Sequence, residues 1–130
     1  MAVDIRWLRD NQIIEAVYKG DSDVKDAEYL GTTLSQMLQD SFPSKVYILI
    51  DTSQVGKVDF KPSDLFKSNA VVFLKASNLV YLYVCGTPKN YETLFYILIS
   101  VSQHLGVVRK PIKTFPTCQE ALAHIESQLE

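Results

Sequence analysis

One polar segment of this sequence carries most of the side chains that could do chemistry. It runs from Asp51 to Asp64, DTSQVGKVDFKPSD, directly after a strongly apolar stretch. A carboxylate with nearby hydroxyls and lysines is typical of a phosphoacceptor or of a loop that recognises a charged partner. We therefore predict a partner-binding surface made of Asp51, Thr52, Ser53, Lys57, Lys61, Ser63, Asp64 and Lys67. The alternative is that Asp51 and Ser63 only cap local backbone amides, which is the commoner role of these residue types.

Catalytic groups are sparser. Asp51 at the end of an apolar stretch suggests a response-regulator receiver, but the acidic pair that would help hold a divalent cation after the first strand is missing. Cys85 precedes a predicted helix, whose dipole would lower a thiol pKa, yet Tyr91 stands where a phosphatase loop would carry arginine. We predict no catalytic residue, and an enzyme built around Asp51, Lys61 or Cys85 stays an alternative.

The cysteines and histidines are expected to be structural. Cys118 and His124 are six residues apart, about 240° around a helix, so they do not face each other. No pair of His, Cys, Asp and Glu has the spacing of a zinc site, so we predict no metal and no cofactor. The opening residues MAVDIR contain no basic region followed by an apolar one. We therefore expect a cytoplasmic protein in which Cys85 and Cys118 are separate, reduced thiols.

The hydrophobic pattern predicts the elements that must position these side chains. Short β-like runs and helical periodicities alternate along the chain, and Asp10-Asn11 favours a tight turn between the first two strands. The predicted strands are 5–9, 13–18, 46–50, 79–85 and 112–115, and the predicted helices are 21–40, 63–75, 88–105 and 117–129. This ββαβαβαβα order indicates an α/β domain with an antiparallel opening hairpin followed by parallel strands. We expect a mixed, mostly parallel five-stranded sheet with four helices.

Two of the predicted helices are more apolar than one sheet contact requires. Residues 94–101, LFYILISV, are apolar nearly all the way round, and residues 65–74 show a similar excess. A bilayer span takes about 20 apolar residues, so neither run is long enough and we predict no transmembrane segment. A helix that is hydrophobic on all sides must be covered on all sides, either by its own fold or by a partner. The surplus is therefore compatible with burial in the monomer, with a homodimer or with another protein partner.

Composition and charge limit the class of protein. The 130 residues are 47% hydrophobic and 22% charged, as in a single soluble domain spanning 1–130, and the net charge is −2. Such a balance argues against nucleic acid as a partner, because phosphate binding needs clustered lysine and arginine. Residues 10–40 carry seven acidic and two basic side chains, whereas residues 52–90 carry five basic and two acidic ones. This segregation favours a partner steered toward the segment after the third strand, although a solvated mixed surface would also explain it.

The order of elements and the strand end Ile48-Leu49-Ile50-Asp51-Thr52-Ser53 resemble the SpoIIAA-like fold over nearly the whole chain. This is the fold of anti-sigma-factor antagonists and of the STAS domains of sulphate transporters. The resemblance implies a non-catalytic regulatory domain that binds a protein, for instance a kinase-like anti-sigma factor. It also implies a serine switch, for which Ser63 is the matching residue, although the Asp-Ser-Ser-Gly-like run of antagonists is absent here.

The sequence thus predicts a regulatory protein-interaction domain, similar to divergent, often bacterial members of this fold that lack the phosphorylation run. The resemblance of such proteins to SEC14-type lipid-binding domains leaves a second function open, the binding of a small apolar or lipid-like ligand. The third hypothesis for the function is an uncharacterised enzyme.

Overall fold

A computed structural model describes residues 2–61, 63–64, 69–104 and 112–129. The strands are β1 (Val3–Arg9), β2 (Ile13–Asp23), β3 (Val46–Asp59), β4 (Leu79–Cys85) and β5 (Ile112–Phe115). The α-helices whose bounds lie in these ranges are α1 (Val24–Ser41), α2 (Glu92–His104) and α3 (Cys118–Leu129). Short 3₁₀ turns cover Lys89–Tyr91 and Asn69–Lys75, and the second of these is called the 3₁₀ segment below.

The five strands form one mixed sheet in the order β1-β2-β3-β4-β5. The hairpin of β1 and β2 is antiparallel, and Asn11 in its turn adopts a positive φ of 58°, a conformation that asparagine tolerates well. The pairs β2–β3, β3–β4 and β4–β5 are all parallel. The predicted α/β class and the mixed, mostly parallel sheet are therefore confirmed.

Helix boundaries follow local capping signals. The Asp23 side chain accepts hydrogen bonds from the backbone N–H groups of Lys25 and Asp26, and the Asp26 carboxylate accepts one from the Asp23 N–H. This capping box starts α1 three residues after the first predicted residue. At α3, the Thr117 hydroxyl accepts a hydrogen bond from the Glu120 N–H, which places the cap at the first residue of the predicted range 117–129.

The prediction that Asp51 ends the third strand is wrong. β3 continues to Asp59, and beyond Asp51 it pairs only with the second half of β2. Residues 19–23 and 54–59 thus form a two-stranded ribbon that extends past the end of β4. The ribbon segment of β3 is polar and contains glycine, so its own sequence predicts a loop. It forms a strand because it pairs with β2.

The helix predicted over 63–75 is also only partly right. Ser63 and Asp64 are α-helical, but Asn69–Lys75 is 3₁₀, and residues 65–68 lie outside the described ranges. The end of the helix predicted to reach Leu105 lies outside them as well.

The sheet has two differently covered faces. The aliphatic face is covered by α1 and the 3₁₀ segment, and its buried side chains include Ile14, Ile48, Ile50, Leu82 and Val84. The aromatic face packs against α3, and its members include Ile13, Tyr47, Leu49, Tyr83, Ala121 and Ile125. α2 joins the layer above the aliphatic face, because Leu94 and Phe95 pack against Ala27 of α1 and Ala70 of the 3₁₀ segment.

Candidate functional site

The first three residues of the predicted partner surface lie on β3, at and just after the last residue that pairs with β4. Asp51 is half-buried, and its Oδ1 accepts hydrogen bonds from the Ser53 N–H at 2.9 Å and the Ser53 hydroxyl at 2.7 Å. Thr52 is fully buried, and its hydroxyl lies 3.0 Å from the Cys85 carbonyl oxygen and 2.9 Å from Thr87 Oγ1. Thr52 therefore ties two strand ends together and presents no side chain to a partner.

The other predicted surface residues lie farther along the chain. Lys57 is exposed on the ribbon, where its N–H donates to the Asp21 carboxylate at 2.8 Å. Ser63 is exposed, and Asp64 accepts a hydrogen bond from the Lys61 N–H at 2.9 Å. Lys67 lies outside the described residues.

These residues do not form one cluster. A strand rises about 3.3 Å per residue, so the eight steps from Asp51 to Asp59 separate the ends of this segment by roughly 25 Å. The structure divides the solvent-accessible part of the predicted surface into three places. Asp51 and Ser53 lie beside the end of β4, Lys57 lies on the ribbon, and Lys61, Ser63 and Asp64 lie beyond it.

The two cysteines were expected to be separate thiols, and this expectation is wrong. Cys85 and Cys118 form a disulfide across a sequence separation of 33 residues. It joins the end of β4 to the first residue of α3. One carboxylate oxygen of Asp51 and the two sulfur atoms all lie within 4.8 Å of one another. The sequence could have indicated Asp51 beside Cys85, because each follows or ends an apolar run that predicts a parallel strand, but Cys118 gave no such signal.

Aromatic rings fill the space between the sheet and α3. The rings of Tyr47, Tyr81 and Tyr83 stack along the sheet, and Tyr83 also contacts Phe115 and His124. The Tyr83 hydroxyl lies 3.0 Å from His124 Nδ1. Burial, together with the neighbouring tyrosines, raises the pKa of Tyr83 to about 12. These ring contacts hold His124 toward Tyr83. The cluster is packed like part of a hydrophobic core and unlike an open binding site.

An apolar cavity of about 130 Å³ lies on the opposite face. Its walls come from β-strand residues, α1, the 3₁₀ segment and α2. The described residues that line it are Tyr18, Ala27, Leu30, Ile50, Phe60, Ala70, Val71, Phe73, Leu74, Leu82, Val84, Phe95, Ile99 and Ile112. Among them only Tyr18 has a polar atom in its side chain. Burial raises the pKa of Tyr18, and the Asp26 carboxylate adds to that increase, so its hydroxyl keeps its proton into strongly alkaline solution.

A glycine sets the spacing of the cavity walls. Gly31 of α1 faces the 3₁₀ segment so closely that a Cβ at this position would collide with the Ala70 backbone. Both Ala27 and Ala70 are buried beside this contact. Small residues therefore bring the two helical elements together, and the side chains of Phe60 and Phe95 close over them.

Among the described residues, the excess apolar side chains of segments 65–74 and 94–101 are only partly buried. Leu94 and Phe95 of α2 pack inward, whereas Tyr96 is 71% exposed and Ile97 is 41% exposed. Phe42 and Val72 are also exposed, and they line one groove between the end of α1 and the 3₁₀ segment.

Helix length and hydropathy test one further expectation. Over the described parts of the chain, no helix is both long and apolar enough to cross a membrane.

A scan against protein-family models finds no match to this chain, and a search of curated proteins finds none either.

Proposed function

We propose that this chain is a non-catalytic binding domain that holds a small, largely apolar molecule in the cavity above its aliphatic face. The observation that carries the proposal is the cavity itself, a volume of about 130 Å³ with a hydrocarbon lining. A regulatory role of the SpoIIAA-like kind is compatible with it, because the opening hairpin and the parallel strands suit that resemblance.

The size of the cavity defines the ligand class. An apolar cavity of roughly 150 Å³ in another protein stays dry and binds benzene, whereas drug-sized ligands occupy roughly 300–1,000 Å³. The cavity here is therefore suited to a single ring or a short acyl group. A longer lipid-like molecule would leave most of its chain outside the described walls.

Tyr18 adds a preference within that class. A ligand with one hydroxyl or carbonyl group can hydrogen-bond to the Tyr18 hydroxyl while its apolar part fills the remaining space. One such hydrogen bond contributes about 1 kcal/mol. We expect phenol to bind roughly three- to tenfold more tightly than toluene.

The test is a titration of the protein with phenol and with toluene, followed by amide NMR shifts. Tyr18→Phe should leave the phenol hydroxyl unpaired in the cavity, so it should reduce phenol affinity below that of toluene and leave toluene affinity unchanged. Ala27→Leu places a larger side chain into the cavity and should abolish binding of both compounds. Ala123→Leu makes the same change at an exposed position of α3 and serves as the control. Shift changes absent from cavity residues, or equal binding by Ala27→Leu, would refute the proposal.

A second candidate function is supported by the exposed apolar side chains. Tyr96 and Ile97 lie next to each other on α2 and are both accessible. Exposed apolar side chains become favourable contacts when another protein covers them, so these two residues could contribute to a surface for a protein partner or a second copy of the chain. Sedimentation of the wild type and of a Tyr96→Ser/Ile97→Ser variant would separate a homodimer from a monomer. A monomer that gains no partner in the presence of candidate anti-sigma factors would contradict this function.

Ser63 belongs to the same second candidate. It is exposed at a helical turn, with Lys61 two residues before it. A phosphoryl group there would add nearly two negative charges close in sequence to the Lys61 ammonium group, with which it could pair. Kinase treatment followed by mass spectrometry tests this assignment, and modification of other residues alone would rule it out.

A further inference from the structure

We propose that the reduced protein binds a zinc-class divalent cation through Cys85, Cys118 and Asp51, so that the disulfide and the metal are alternative states of one site. The site lies on the aromatic side of the sheet edge and is separate from the apolar cavity. Its donor atoms come from three elements that the fold brings together.

The positions of the three donors support the proposal. Asp51 and Cys85 are direct register partners on the parallel strands β3 and β4, so their side chains project from the same edge toward the same face. Cys118 is the first residue of α3, where the helix dipole stabilises a thiolate. All three donor atoms lie within 4.8 Å of one another.

The required movement is small. In a tetrahedral site two Zn–S bonds of about 2.3 Å hold the sulfur atoms roughly 3.8 Å apart. Once the S–S bond is broken, rotation about the Cα–Cβ bonds can provide that separation while the backbone keeps its place. The oxygen donor from Asp51 needs a shift of about 1 Å to reach tetrahedral spacing.

The surroundings of Asp51 resemble an outer coordination shell. Its Oδ1 accepts two hydrogen bonds from Ser53, which fixes the orientation of the carboxylate. Two thiolates and a carboxylate favour zinc-class ions over magnesium or calcium, which prefer oxygen donors. Three protein ligands leave a fourth position for water. His124 does not belong to the group of donors whose atoms all lie within 4.8 Å of one another.

The disulfide is converted into the metal site in two steps, reduction and metal binding. A dithiol reductant supplies two electrons and two protons, the S–S bond breaks, Cys85 and Cys118 become thiols, and the reductant becomes a cyclic disulfide. A divalent cation then displaces the two thiol protons, which pass to solvent, and forms two metal–sulfur bonds.

Cobalt titration tests the proposal directly. The protein is reduced with dithiothreitol, freed of it by gel filtration under nitrogen, and titrated with Co²⁺ and then with Zn²⁺. We expect one Co²⁺ per chain, with thiolate-to-cobalt charge-transfer absorption and intense tetrahedral d–d bands that Zn²⁺ abolishes. The oxidised protein should show neither signal.

Variants identify the ligands. Asp51→Asn should weaken Co²⁺ binding at least tenfold, since loss of even an outer-shell partner costs roughly 10–100-fold. Asp10→Asn, the same change at an exposed residue of the hairpin turn, should leave the affinity unchanged. Cys118→Ala should abolish the charge-transfer band, and circular dichroism checks that this variant is folded. Absence of cobalt bands in the reduced wild type, one cation per two chains, or an unchanged affinity in Asp51→Asn would each overturn the proposal.

Discussion

The two faces of the sheet are covered in different ways. Above the aliphatic face, α1, the 3₁₀ segment and α2 meet around small residues and leave a cavity of about 130 Å³. Below the aromatic face, α3 is joined to β4 by a disulfide and rests on a continuous series of ring contacts. The difference shows that the elements above the aliphatic face pack around an open space, whereas α3 packs closely against the rings of the aromatic face.

The largest expected effect comes from removing the disulfide that fastens α3. Closing a loop of this length lowers the entropy of the unfolded chain by an amount equivalent to about 3–4 kcal/mol. A Cys85→Ala/Cys118→Ala variant should lose about that much free energy of unfolding in urea, measured with a chelator present. Reduced wild type should lose a similar amount, and a loss below about 1 kcal/mol would show that the rings alone hold α3.

Gly31→Ala tests the packing of the opposite face. The new Cβ collides with the Ala70 backbone, so α1 and the 3₁₀ segment must move apart. Overpacking of this kind costs about 1–3 kcal/mol, and the better helix propensity of alanine returns up to about 1 kcal/mol. We expect a net loss of about 2 kcal/mol, together with altered toluene binding.

Thr32→Ala is the matched control for this change, because Thr32 is the exposed neighbour on the same helix. It should raise the stability by a few tenths of a kcal/mol through propensity alone. A stable Gly31→Ala variant with normal ligand binding would show that the cavity walls do not depend on this close approach.

Tyr83→Phe tests the ring cluster of the aromatic face. Loss of the hydroxyl leaves His124 Nδ1 without its partner, and we expect a cost of about 1.5 kcal/mol near neutral pH. A second effect appears in alkaline solution. Because folding raises the pKa of Tyr83 from 10.0 to about 12, its contribution is complete below pH 10 and is lost as the pH rises toward 12.

Urea unfolding between pH 8 and pH 12 measures this second effect. The stability of the wild type should fall over that range, and the fall should be smaller in Tyr83→Phe. Tyr18→Phe on the other face should also reduce it, since burial raises the pKa of Tyr18 too. Equal slopes in all three proteins would mean that neither tyrosine is responsible.

Most elements of the fold could be predicted from the sequence, and the predictions that were wrong have physical explanations. The hairpin turn, the helical periodicity of α1 and the apolar runs of β3 and β4 are local signals, and each led to the right element. The ribbon was missed because Gln54, Gly56 and Lys57 carry no strand pattern. Its existence depends on β2, more than thirty residues away.

The disulfide and the cavity could not be predicted as well as the fold. The disulfide joins residues that are 33 positions apart, and no local pattern links them. The apolar surplus of residues 94–101 was visible, but which part of it faces a cavity and which part faces solvent depends on how α2 meets Ala27 and Ala70. The sequence therefore predicts how many apolar residues a helix contains better than it predicts which of them are buried, line a cavity or face solvent.

The smallest expected effect concerns the ribbon, which extends beyond both faces. Ser22 is 3% exposed, and its hydroxyl has no hydrogen-bond partner among the described residues. A buried, unpaired polar group costs about 1–3 kcal/mol, so Ser22→Ala should raise the free energy of unfolding by about 1 kcal/mol. Ser53→Ala is the contrasting change at the sheet edge, because the Ser53 hydroxyl donates to Asp51, and it should lower the stability slightly. Urea unfolding of both variants measures the difference, and a destabilised Ser22→Ala would indicate that this hydroxyl binds an ordered water that the apolar methyl group cannot replace.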